Sequence, residues 1–179
     1  MNPKLRLTIL RILALVIVIG ISIFVFLIRD KAGEFQAYGY LGVFIVALLA
    51  YATVLLPAPA VAIVFSWGSV FNPAGVALAA GAGAALGEIS GYLAGFSGQA
   101  VIEKVELYQR LTNFMQRNGA FTVFVLSAIP NPLFDLAGAA AGALKMPLQK
   151  FLLWCWLGET VKMFIFAYAG ASSLGKFFT

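Results

Sequence analysis

The chain has no histidine and a single cysteine, Cys155. Those shortages remove Ser-His-Asp and Cys-His catalysis, zinc sites built from His or paired Cys, and any internal disulfide. Cys155 stands among Trp154, Trp156 and Leu157, where it reads as a small apolar packing residue. Charge is equally scarce: 11% of the 179 residues are charged, against 62% hydrophobic. A soluble domain of this length would have too few charged groups to cover its surface, so the solvent to expect is lipid. The charge that is present sums to +5, but the basic residues are scattered at the ends of apolar segments. That distribution reads as interfacial anchoring and argues against nucleic acid as a partner.

Lys4, Arg6 and Arg11 precede a first apolar run, Ile12–Ile28, and favour a cytoplasmic N-terminus. The run is long for a signal-peptide core and no Ala-x-Ala-like site follows it, so residues 1–34 read as an uncleaved anchor helix with a short polar loop. Residues 35–179 then form one membrane domain. Its longest uncharged stretch, Phe35–Gly87, exceeds two spans of about 20 residues but cannot hold three with turns. We read a span over Tyr38–Leu56, a break at Pro57 and Pro59, a short arm Ala60–Phe71, a turn at Asn72-Pro73 and a long helix Ala74–Gln99. The arm is too short to cross a bilayer and suits one side of a re-entrant hairpin. Residues 101–118 carry Glu103, Lys104, Glu106, Arg110 and Arg117, with Val101, Val105, Tyr108, Leu111 and Met115 at three- and four-residue spacing, as in an amphipathic helix on the membrane surface. Gly119 offers that helix a stop. A second uncharged stretch, broken by Pro130 and Pro132 and carrying only Asp135, reaches Leu144; after Pro147 a final span runs over Leu148–Leu174.

The two halves repeat in the order of their features. Leu56-Pro57-Ala58-Pro59, Pro73 and Leu86-Gly87-Glu88 in residues 38–99 answer to Ile129-Pro130-Asn131-Pro132, Pro147 and Leu157-Gly158-Glu159 in residues 119–174. Proline-interrupted hydrophobic segments at matching places in two halves point to a transporter-type repeat with its site near the bilayer midplane. The fold expected is an all-α integral membrane protein in which two oppositely oriented re-entrant helical hairpins form an inverted repeat.

Few residues in these segments can carry chemistry. Glu88 falls in mid-helix, where a charge costs about 2.5–3.5 kcal/mol on insertion scales. It is either a protonated side chain bonded to a neighbouring hairpin or a carboxylate coupled to substrate or proton. Glycines and alanine recur around it every fourth residue, at Gly75, Ala79, Gly83, Gly87, Gly91 and Gly95, giving one small-residue face for close packing. Glu159 has Lys162 three residues on, near enough to pair; under the repeat it would also face the cavity of Glu88, and two carboxylates there would suit proton handling. Asp135 and Asn131 flank the Pro130/Pro132 hairpin, as helix caps or as polar lining at its tip. Gly138 and Gly142 permit close helix approach.

The string Ile129-Pro130-Asn131-Pro132-Leu133-Phe134-Asp135-Leu136-Ala137-Gly138 resembles the second hairpin of the vacuole membrane protein branch of the DedA superfamily, also called the SNARE-associated or VTT domain. Gly68, the Pro73 turn, Gly87-Glu88, Tyr92 and Gly95 extend the resemblance over residues 38–174. It implies two re-entrant hairpins meeting inside the bilayer and lipid movement between leaflets. It also implies phospholipid scrambling, as in eukaryotic relatives, or the carrier-lipid recycling and proton-motive-force maintenance associated with bacterial ones. Unlike typical bacterial members, the chain has no basic residue between Gly119 and Leu144, which counts against phosphate binding at that hairpin.

The expectation is therefore a non-enzymatic lipid transporter, a scramblase or flippase, with Glu88, Asp135, Glu159, Asn131 and Lys162 along a polar path. A proton-coupled transporter of a lipid phosphate or small solute is the alternative, and a non-transporting scaffold a third reading. No cofactor and no metal are expected. The partners are membrane phospholipids, with protons under the coupled alternative; homo-oligomers are left open. The location expected is a bacterial or archaeal plasma membrane.

Overall fold

The computed structural model describes residues 32–52, 57–96, 105–130 and 134–174. The anchor expected over residues 12–28, the tip residues Asn131 and Pro132, and the side chain of Asp135 lie outside what it describes. Among the described residues seven helices follow in order: α1 (Ala32–Ala52), α2 (Pro57–Gly68), α3 (Pro73–Gly87), α4 (Ile89–Phe96), α5 (Val105–Ala128), α6 (Phe134–Ala143) and α7 (Leu148–Leu174). The described residues contain no strand.

Prolines start these helices more than they break them. Pro57 and Pro73 are first residues of α2 and α3, and Pro147 directly precedes α7, positions where a missing N–H costs nothing and the fixed φ suits helix entry. Asn72 completes the start of α3: its Oδ1 accepts from the amides of Ala74 (2.9 Å) and Gly75 (3.2 Å). At the other turn α6 closes in a Schellman arrangement, Met146 N–H donating to Ala141 and Lys145 N–H to Gly142, with Lys145 at φ 53° in the place glycine usually takes.

α3 is the centre of the fold because Ala and Gly let neighbours approach it on both sides; α1 and α7 make the most extensive contacts, both with α3. Two apolar clusters result. One joins α1, α2, α3 and the C-terminal half of α7 through Val43, Ile63, Trp67, Val76 and Met163. The other joins α4, α5, α6 and the N-terminal half of α7 through Tyr92, Met115, Val123, Phe134 and Phe151. Among the described residues two segments are long and apolar enough to cross a membrane, Pro73–Phe96 and Leu148–Ser173, and a shorter apolar helix covers Gly39–Ala52.

Four expectations change. The span expected from Tyr38 begins in a helix already formed at Ala32. The long helix Ala74–Gln99 is jointed at Glu88 (φ −65°, ψ −11°), with the ladder carried across by Glu88 N–H to Ala84 (3.0 Å) and Tyr92 N–H to Glu88 (3.1 Å). The helix expected over 101–118 does not stop at Gly119; α5 continues to Ala128 through a kink at Asn118 (φ −137°, ψ 48°). Packing of Val123 and Ser127 against the interior outweighs the glycine stop, and the Thr122 hydroxyl donates to the Asn118 carbonyl at the kink (2.9 Å). Residues 118 and 119, on the two sides of the boundary expected from sequence, thus lie in one helix. Finally, the small-residue face around Glu88 serves two neighbours: Gly83 and Gly87 lie against the α1 backbone at Phe44 and Leu48, whereas Gly95 lies against the α6 backbone at Ala139.

Candidate functional site

Glycine contacts place the helices that carry the ionisable residues. At α2–α7, Gly68 lies against the Ala167 carbonyl and Gly170 against the Phe65 carbonyl. At α4–α6, Gly142 lies against the Tyr92 carbonyl and Gly95 against the Ala139 carbonyl. In both pairs each glycine follows its own helix's contacted carbonyl by three residues, so two interfaces far apart in sequence have one geometry. A Cβ at any of the four would collide with backbone. Gly138 is looser, with its nearest neighbours at ordinary contact distance, one of them Glu88 Oε2 at 3.7 Å from where a Cβ would be.

These contacts hold the joint of α3 and α4 beside α6 and α7, at the seam between the two apolar clusters. Glu88 is buried there, and Glu159 and Lys162 are buried on α7. Lys162 Nζ donates to Glu159 Oε1 at 2.7 Å and sits 5.1 Å from the centre of the Tyr51 ring, at the C-terminal end of α1. The ammonium is thus met by a carboxylate from its own helix and by a π face from α1. Cys155, one turn before Glu159, is fully buried within electrostatic reach of Glu88, Glu159 and Lys162. Thr160 adds a buried hydroxyl with no hydrogen-bond partner among the described residues. On the opposite side of α7, Gly158 lies against the Ser127 hydroxyl and the Phe124 carbonyl of α5.

Of the residues singled out from sequence, Glu88, Glu159 and Lys162 therefore meet in one buried region; α6 brings the backbone of Asp135 into its first turn, and Asn131 lies outside the described residues. Gly91 is half-buried on α4. Pro130 lies between α5 and α6 and is exposed. Sequence reasoning missed Tyr51 and Thr160. Thr160 was within reach of inspection, directly beside Glu159; Tyr51 was not, because nothing in the spacing of α1 marks an aromatic for a lysine more than a hundred residues on. Among the described residues no group of three or more His, Cys, Asp or Glu side chains could hold a metal ion. What the arrangement can do is present carboxylate and ammonium groups in an apolar interior, where each interacts strongly with any charge or dipole that enters.

Comparison with known proteins gives two findings. Residues 56–172 match the VTT domain family. Curated relatives include the vacuole membrane proteins KMS1 and KMS2 of Arabidopsis thaliana, 41% identical over 51 residues and 42% identical over 41 residues. Those matches cover 28% and 23% of this chain but 12% and 10% of the plant proteins, so only a small part of each relative is represented. No solved structure matches the chain. The plant names speak of a vacuole membrane and lend no support to a bacterial or archaeal plasma membrane.

Proposed function

The chain belongs to the VTT domain family, the DedA or SNARE-associated group of membrane proteins, and from that premise we propose that it moves phospholipid between leaflets without enzymatic chemistry. The observation that carries the reading is the burial of Glu88, Glu159 and Lys162 together at the seam of an otherwise uncharged interior. Ionisable groups are costly inside a membrane protein and mark substrate or ion paths. A zwitterionic headgroup carries one phosphate and one ammonium, and a carboxylate–ammonium surface offers a counter-charge to each. Asp135 and Asn131, the polar residues of the Pro130/Pro132 stretch in sequence, would extend this path.

The reading includes an inverted repeat, with α1, α2 and α3–α4 answering to α5, α6 and α7, and with α2 and α6 as the inner arms of re-entrant hairpins. Its support is the matched glycine geometry of α2–α7 and α4–α6, in which each inner arm packs on the long element of the other half. Both arms, at 12 and 10 residues, are too short to cross a bilayer by themselves. Such arms bring irregular backbone and charge into a locally thinned barrier, which lowers the cost of headgroup passage.

The test uses liposomes containing the purified protein and a fluorescent phospholipid, with a membrane-impermeant quencher added outside, with and without a pH gradient. Scrambling predicts that quenching passes the half expected for the outer leaflet in the absence of a gradient, and that Glu88→Gln slows it. Dependence on the gradient would transfer the site to proton-coupled transport. No loss of inner-leaflet fluorescence under either condition would leave the family assignment standing and remove the lipid-moving activity.

A further inference from the structure

The stretch between Gly119 and Leu144 holds no basic residue, yet the basic residues just outside it meet in space. A cavity of about 390 Å³ lies where the α5 kink, the end of α6 and the start of α7 come together. Arg117 and Lys150 line it from opposite sides of the sequence gap, and Met115, Ala141, Leu144 and Met146 supply apolar wall. Among the described residues no acidic side chain lines it. Arg117, Lys150 and the nearby Lys145 are exposed, so their charges are available at the mouth. The cavity also sits at a defined depth: it opens at the N-terminal end of the segment Leu148–Ser173, which is long enough to cross a membrane, and that is where headgroups begin. Phe114 and Phe121, seven residues apart on α5 and on either side of Arg117, are 61% and 59% exposed. Large exposed aromatics on this helix are out of place in water and suited to acyl chains and the interface.

We propose that this cleft is a seat for one anionic phospholipid, its phosphate between the Arg117 guanidinium and the Lys150 ammonium and the start of its acyl chains against Met115, Leu144 and Met146. Arginine and lysine together recognise a phosphate as fork and point charge. The volume suits a headgroup with part of its glycerol, within the 300–1,000 Å³ or so of ordinary ligand pockets. The apolar walls select a lipid over free phosphate, because a free anion gains nothing from Met115 or Leu144. This seat is separate from the buried Glu88–Glu159–Lys162 region and does not depend on transport; a protein that moves no lipid could still hold one here.

The test is native mass spectrometry of the purified chain released from mixed micelles of phosphatidylglycerol and phosphatidylcholine. One phosphatidylglycerol is expected to stay bound in preference to phosphatidylcholine, with retention falling at least about tenfold in Arg117→Gln/Lys150→Gln, the loss of two charge-assisted contacts. Arg110→Gln, one charge fewer two turns earlier on α5, should leave retention unchanged. Gly119→Leu keeps every charge and fills the cavity, since a Cβ at Gly119 meets only Met146 Sδ at 3.9 Å; it should also lose the lipid. Equal retention of the two lipids, or full retention in both the double variant and Gly119→Leu, overturns the proposal. So does displacement by millimolar inorganic phosphate alone, which would make the cleft a site for the free anion.

Discussion

Lys162 and Glu159 are 6% and 0% exposed, so their 2.7 Å contact is made away from water. Such a pair is poor evidence of stabilisation as a whole, because desolvating two charges offsets most of their attraction, but removing one partner leaves the other buried without its counter-charge. Lys162→Met is therefore expected to destabilise the protein by about 3–5 kcal/mol. Glu159→Leu/Lys162→Met, which removes both charges, should recover most of that loss in a denaturation measurement. Lipid movement by the recovered double variant separates two roles for the pair: scrambling at the wild-type rate would make the charges structural only, and its loss in a stable protein would place them on the path. The Tyr51 ring sharpens the comparison, since it holds the ammonium from α1 and has no such role once the lysine is gone.

Between elements, contact distance at glycine decides what the fold tolerates. Gly95→Ala and Gly170→Ala each put a methyl group into a neighbouring carbonyl, at Ala139 and Phe65, and both should cost about 1–3 kcal/mol as the helices are forced apart. Gly138→Ala, whose Cβ would find ordinary contacts, should be neutral or gain up to about 1 kcal/mol from helix propensity. Thermal unfolding in one detergent checks all three; similar losses at Gly95 and Gly170 would fit the paired geometry of the two halves, and a loss at one alone would count against it. The legible elements were those whose ends are chemical. Asn72-Pro73 caps α3, and Pro147 with the apolar run after it bounds α7 at Leu148–Leu174, as the sequence leads one to expect. The kink at Asn118 was not legible, because Gly119 is a stop only if nothing downstream holds the helix, and Val123 and Ser127 hold it. For the same reason Arg117 and Lys150 looked like separate anchors: their convergence is made by the α6–α7 turn folding back to α5, which no local spacing records.

Across the whole molecule the usual distribution of residue types is reversed. Its interior is rich in alanine and holds Glu88, Glu159 and Lys162, while Leu41, Ile45 and Leu49 on α1 and Leu153, Val161 and Ile165 on α7 face outward. That is the arrangement a lipid solvent calls for, since apolar side chains lose nothing there and polar ones must find each other inside. It follows that the charged residues meet hydrocarbon on different terms while the chain is being synthesised. Glu159 carries its counter-ion three positions along the same helix, so the one acid of α7 can enter a bilayer already paired, with Lys150 left at the helix's N-terminal end. Glu88 has no lysine or arginine within four residues on either side, so residues 73–96 bring to the translocon an acid with no basic residue nearby along the chain. Fused singly to an insertion reporter, the α7 segment should insert well and lose efficiency with Lys162→Ala, whereas residues 73–96 should insert poorly and improve with Glu88→Gln. Equal insertion of all four would remove the distinction. A helix whose acid arrives already paired can wait in the membrane for its neighbour, and assembly of this protein would then run backwards along the chain, with a later helix serving as the template on which an earlier one settles.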